Sequence, residues 1–255
     1  MAHFEALEIC LAIKSSERFT SSRFGQISRE KLTLSAVSRV LSRAFVSLAM
    51  NYTGCRALSE EEVSRVANSF CGRYAARDRA LFLLGIHTGF RVSELLALQV
   101  LDVWDGAEIG YNVTVRRAYM KGRRASRSVP IHRRARKALA DWMACRWARA
   151  ELMVGEMPLF PRQRTNRAMT PHQVRAILKE AARRAGIQLA RVATHSMRKT
   201  FATRMWRSPF IDRDMAKMAR LLGHENFSNT LRYIQFLDGT LEQAVLEEVG
   251  DSVNI

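Results

Sequence analysis

Long apolar runs are missing from this chain: none approaches the roughly 20 residues that a bilayer-spanning helix needs. The N-terminus, MAHFEALEICLAIKSSERF, has an apolar patch but carries Glu5 and Glu8 where a secretory signal would be basic. Cysteines are few. Cys10, Cys55, Cys71 and Cys145 form no C-x-x-C pair and have no histidine at ligand spacing. That pattern argues against a zinc site or a disulfide framework, and for buried free thiols in a reducing compartment. No internal repeat and no low-complexity tract interrupts the chain. The expectation is a cytoplasmic, intracellular protein with no membrane partner.

Acidic residues are also scarce: 24 Asp and Glu stand against 41 Lys and Arg, a net charge of +17. Such an excess opposes compaction unless a polyanion answers it, and nucleic acid is the leading candidate. A membrane surface fits less well, because no helix carries a clean basic face opposite a clean apolar one. The 47% apolar fraction in 255 residues is enough for one large domain, or one domain and a smaller appendage.

Residues 1–56 read as a short basic helical region. LTLSAVSRVLSRAFVSLAMNY is its clearest helix, with Leu34, Val37, Leu41, Phe45 and Leu48 near a 3.6 period. Arg39 and Arg43 on it are candidate phosphate contacts or a solvated face. Gly54 marks the boundary to a second domain, 57–236. There Ser59 and Glu62 form a capping box that starts a helix running to about Arg73. The apolar helix DRALFLLGIHTG ends at Gly89, and FRVSELLALQ follows with Leu95, Leu96 and Leu98 as core. Arg91 falls in its first turn, with Glu94 one turn on along the same face. From Trp104 to Ile131 the helical period gives way to β-branched alternation, which predicts two or three short strands. The turn MKGRRAS places Lys121, Arg123 and Arg124 at a hairpin tip suited to a DNA groove. Helices resume with RRARKALADWMACRWARAEL, and Thr170-Pro171-His172-Gln173 opens the next, which stops at Gly186. The predicted class is mainly α with a small antiparallel β-sheet (α+β).

Near the end, THSMRKTFAT places His195 and Arg198 three residues apart on a helix that Thr194 would cap, an N-terminus that favours an anion. A further helix stops at Gly223, His224 follows, and Tyr233 lies nine residues beyond. Residues 237–255 change sign, alternating Asp238, Glu242, Glu247, Glu248 and Asp251 with Leu237, Leu241, Val245 and Val249. This acidic amphipathic tail needs an apolar groove. Breaking a phosphodiester without a metal needs a nucleophile, cations to hold the transition-state charge, and an acid for the leaving group. Arg suits the second task, because its fork grips two oxygens and it stays protonated.

TGFRVSELLALQ, MKGRRASRSVP, HSMRKTFAT and LLGHENFSNTLRYI, in that order, resemble the motifs of the tyrosine recombinase (phage integrase) family. The resemblance covers roughly residues 57–240 and implies a recombinase-like catalytic domain behind a shortened, core-binding-like N-terminal region. It implies that Tyr233 is the nucleophile, forming a 3′-phosphotyrosyl bond and freeing a 5′-hydroxyl. Arg91 and Arg198 would clamp the non-bridging phosphate oxygens, and Lys121 would be the general acid, with Arg123 and Arg124 close enough to compete. His195 would assist as general base, His224 would hydrogen-bond the phosphate, Glu94 would orient the cluster, and Lys199 would be a phosphate contact or a helix-surface charge. Neither a metal nor another cofactor is implied. The implied partners are double-stranded DNA, further copies of the chain in a tetramer on DNA held through the tail, and accessory DNA-bending proteins. A type IB topoisomerase-like enzyme and an inactive DNA-binding relic or regulator remain as alternative readings.

Overall fold

In the computed structural model, the described residues are 54–119, 126–151, 155–163 and 165–223. They form seven α-helices, three 3₁₀ turns and one two-stranded sheet. The N-terminal region, with Arg39 and Arg43, and the acidic tail lie outside the described residues.

Helix α1 (Glu60–Ser69) begins where the capping box requires: the Ser59 hydroxyl accepts from the Glu62 N–H, and the Glu62 carboxylate accepts from the Ser59 N–H. It ends four residues short of Arg73. Phe70 turns extended and Gly72 takes a φ of +82°, a conformation that suits glycine and breaks the helix. Cys71 is exposed in that turn, while Cys55 and Cys145 are half-buried. These thiols are therefore free but not buried as expected, because they fall at chain turns and a helix flank rather than on a core stripe.

Helix α2 (Ala75–Thr88) is the central element. Ala80 to Leu84 and Ile86 are all buried, and α4 and α6 pack against it. With these apolar residues buried on every side, this half of the helix has no solvent face, so it runs through the core. It stops at Gly89, whose φ of +62° is the left-handed cap. The five-residue helix α3 (Val92–Leu96) follows, and Leu95, Leu96 and Leu98 join the core as expected.

Strands β1 (Asn112–Val115) and β2 (Arg127–Pro130) pair antiparallel, with Val113 opposite Val129 and Val115 opposite Arg127. Val113, Val115, Arg127 and Val129 face inward, and Thr114 and Ser128 face out, joined by a 3.0 Å hydroxyl bond. Beyond this pair, an isolated bridge joins Trp104 to Ile109. Helix α4 (Arg133–Ala148) buries Trp142 completely, and the indole N–H donates to the Leu159 carbonyl at 2.9 Å. Helix α5 (Pro171–Arg184) has Thr170 as N-cap, Pro171 at its first position and Gln173 closing the capping box. It buries Val174, Leu178, Ala181 and Ala182 on one stripe.

Helices α6 (Thr194–Trp206) and α7 (Met215–Leu222) complete the described fold. The cap of α6 is Ala193 rather than Thr194. Ser196 explains the shift, since its hydroxyl reaches back to accept from the Ala193 N–H at 3.1 Å. Helix α7 is capped by Asp214 and closed by Gly223, and it shares a second apolar cluster with α6 through Phe201, Ala202, Trp206, Met218 and Leu222.

Candidate active site

Three chain segments meet at one end of α2: its C-terminal residues Thr88 and Gly89, the start of α3, and the C-terminal end of α7. Backbone carbonyls cluster there because helix ends leave their last C=O groups without helical partners. Arginines from other elements fill that need. Nη1 of Arg198 donates to the Gly89 carbonyl at 2.6 Å, and Nη2 to the Leu222 carbonyl at 2.6 Å. Arg198 is only 1% exposed, so a planar charged group is held rigidly between two helix ends.

Arg91 is the N-cap of α3 rather than a first-turn residue. Glu94 grips it twice: Oε2 accepts from the Arg91 N–H at 2.8 Å, and Oε1 accepts from Nη1 at 2.6 Å. Glu94 is fully buried, while the Arg91 side chain keeps 24% of its surface open. A buried carboxylate and a partly exposed guanidinium make a fixed ion pair, with part of the guanidinium left open to solvent.

Arg127 is a further buried cation of this cluster, which the sequence did not single out. It lies on β2 with its side chain 8% exposed, Nη2 3.6 Å from Oε2 of Glu94. Nη1 donates to the Leu221 carbonyl at 2.7 Å, Nη2 lies 3.5 Å from the Thr88 carbonyl, and the guanidinium sits 4.3 Å from the centre of the Phe90 ring. Burial, then the charge of Arg198, pulls its pKa down to about 9, against the pull of Glu94. It stays cationic at neutral pH. The strand alternation carried the signal, because Arg127 shares its parity with buried Val129.

His195 is exposed at the N-terminal turn of α6. Partial burial, then the cations Arg198, Arg91 and Lys199, hold its imidazole below the ordinary range, so it is neutral at pH 7. Lys199 is half-buried, and its ammonium donates to the Cys55 carbonyl at 2.6 Å. This bond and that of the Leu58 N–H to the Thr200 hydroxyl, 2.9 Å, tie the start of the described unit to α6.

The structure thus brings together Arg91, Glu94, His195, Arg198 and Lys199, and adds Arg127. Lys121, Arg123, Arg124, His224 and Tyr233 lie outside the described residues. Three guanidiniums against one carboxylate leave a cluster with excess positive charge at a site with half-open Arg91. Such a cluster can hold an anion that gains charge during reaction.

Comparison with known proteins matches residues 56–239 to the phage integrase family. The chain is 29% identical over 188 residues to the tyrosine recombinase XerC of Caldanaerobacter subterraneus subsp. tengcongensis, covering 74% of this chain and 49% of that one. It is 32% identical over 190 residues to the tyrosine recombinase XerA of Pyrococcus furiosus, covering 74% and 60%. The chain therefore spans about half the length of the curated relatives it matches. Among solved structures, the fold resembles a XerA recombinase, with a TM-score of 0.59, 22% identity and coverage of 96% and 81%. It also resembles the XerH site-specific recombinase bound to palindromic difH substrate, with a TM-score of 0.58, 23% identity and coverage of 74% and 52%.

Proposed function

The chain belongs to the phage integrase family, and from that premise we propose that it is a site-specific DNA recombinase working through a 3′-phosphotyrosyl intermediate. The observation that supports this most is the fixed pair of arginines: Arg198 pinned on two helix-end carbonyls and Arg91 held by buried Glu94. Both guanidiniums are held in place before any phosphate arrives, and such preorganisation favours electrostatic catalysis.

In this reading the Tyr233 oxygen attacks the scissile phosphorus while the bond from phosphorus to the 5′-oxygen breaks. Neutral His195 accepts the phenol proton, a role favoured by the lowered pKa that partial burial, and then its cationic neighbours, give it. Lys121 gives a proton to the departing 5′-oxygen, and His224 donates to a phosphate oxygen. Attack by the freed 5′-hydroxyl of another strand reverses the chemistry and releases Tyr233. Arg39, Arg43, Arg123, Arg124 and Lys199 contact DNA phosphates, and residues 237–255 dock on a neighbouring copy to build a tetramer, with accessory DNA-bending proteins assisting. Deleting the residues after Asp238 weakens assembly on DNA; unchanged assembly refutes the docking role.

The test is covalent trapping. A pool of nicked duplexes with a randomised central segment loses the short 5′-hydroxyl fragment after cleavage, so the adduct cannot reverse. The intact chain forms adducts that survive detergent and enrich a sequence from the pool, and Tyr233→Phe forms none. An intact chain that enriches nothing, or a Tyr233→Phe chain that still forms adducts, refutes the reading.

A further inference from the structure

Arg127 is buried, charged and aimed at a cluster in which it touches no open surface. We propose that it is a positioning residue for the phosphate clamp: it shares the charge of Glu94, so that Arg91 stays directed at the substrate, and it fixes the end of α7 that leads on to His224. The proposal rests on the reading of Arg91 as a phosphate ligand.

Glu94 is fully buried, and a buried carboxylate needs compensating partners for both oxygens. Arg91 supplies one at 2.6 Å and Arg127 a second at 3.6 Å. Without Arg127, the whole charge of Glu94 falls on Arg91. The Arg91 side chain, 24% exposed, can then swing inward and wrap its fork around the carboxylate. The same removal frees the Leu221 carbonyl, which Arg127 holds at 2.7 Å, one residue before the carbonyl that Arg198 holds. Arg127 and Arg198 are thus two adjacent staples on the end of α7. Arg127 links that end to β2, the strand that follows the Lys121 segment in sequence. One side chain therefore joins the hairpin, the Glu94–Arg91 pair and the helix preceding His224. In the described residues its Nε is buried without a hydrogen-bond partner, so the fork is held by its two terminal nitrogens.

The test is a double-mutant cycle on Arg127→Met, Glu94→Gln and the pair, with Arg127→Lys as the conservative variant. Two readouts are taken: the denaturant midpoint, which needs no DNA, and the rate of adduct formation on the nicked duplex enriched from the pool. Arg127→Met slows adduct formation roughly 10- to 100-fold while duplex retention in a gel shift stays near that of the intact chain. Removing the Glu94 charge as well restores part of both the rate and the midpoint, since the stranded carboxylate was the cause. Arg127→Lys keeps more of the rate than Arg127→Met. Strictly additive losses in the cycle, or a lysine variant no better than the methionine one, overturn the proposal. If the intact chain enriches no duplex, the recombinase reading fails. The midpoint cycle then still decides whether Arg127 balances Glu94.

Discussion

Nη2 of Arg198 donates to the carbonyl oxygen of Leu222 at 2.6 Å, while Nη1 donates to the Gly89 carbonyl. The residue proposed to serve the phosphate thus also closes the fold at the junction of α2 and α7. Arg198→Lys separates the two roles, because an ammonium keeps the charge but cannot span two carbonyls as a fork does. The expected loss of stability is about 2 kcal/mol, the worth of one charge-assisted hydrogen bond. Adduct formation should fall by roughly 10²- to 10³-fold, the effect of removing one preorganised donor. Chemical denaturation and the trapping assay measure the two losses separately.

Gly89 offers a second test of the same junction. Its φ is +62°, and a Cβ there would stand 2.3 Å from Cδ1 of Phe201, a ring in the cluster shared by α6 and α7. Gly186 has a similar φ of +67°, but its Cβ would meet only the Arg65 guanidinium at 4.0 Å. Gly186→Ala should therefore cost about 1 kcal/mol, the left-handed backbone penalty alone. Gly89→Ala adds overpacking of about 1–3 kcal/mol to that penalty. Equal denaturation midpoints for the two variants would count against the tight contact.

Much of this frame was legible beforehand, because helix ends are written locally. The Ser59–Glu62 box, the Thr170-Pro171-Gln173 start and the Gly223 stop act within one turn of their own positions. Arg91 and Glu94 were legible for the same reason, being one turn apart. Arg127 was not, since its partners Glu94, Thr88 and Leu221 lie 33, 39 and 94 residues away in sequence. In a chain with 41 basic residues, one more Arg beside a basic turn carries no local mark. Only strand parity sets it apart, and parity becomes informative once the register is known. The exposed Cys71 was missed because the end of α1 depends on Gly72 adopting a positive φ.

His87 and His132 stack with ring centres 4.1 Å apart, and burial, then the His132 charge, pushes His87 down to about 3. Arg204 and Arg134 add to the effect. The folded pKa lies below the ordinary 6.5, so between these values the unfolded chain binds a proton that the folded chain refuses. This contribution to stability is complete above pH 6.5 and is lost as pH falls toward about 3. His87→Leu should flatten the fall in denaturant midpoint across that window relative to the intact chain. Parallel curves for the two proteins would show that His87 titrates normally.

The leaving-group acid can be assigned by changing the leaving group. A duplex with sulfur at the 5′-bridging position expels a thiolate that needs no proton. Lys121→Ala should be slow on the ordinary duplex and close to the intact rate on the sulfur duplex. Arg123→Ala and Arg124→Ala should show no such rescue, because the part proposed for them is to hold DNA. Rescue of either arginine variant, with none for Lys121→Ala, would move the acid to that arginine.

His195 must be neutral to accept a proton, and partial burial, then the cations around it, depress its pKa in the free protein. The acid limb of adduct formation at low DNA concentration reports the free protein, and it should lie below the ordinary 6.5 of imidazole. Bound phosphates oppose the same cations, so at saturating DNA the limb should move upward. Lys199 supplies a further test, because it is one of the three cations acting on His195 and is neither of the two arginines proposed to hold the scissile phosphate. Lys199→Gln removes that charge, so the limb at low DNA should also move up, while His195→Gln should abolish it. A limb that ignores Lys199→Gln would mean that the titrating group lies elsewhere, and that His195 is not the base.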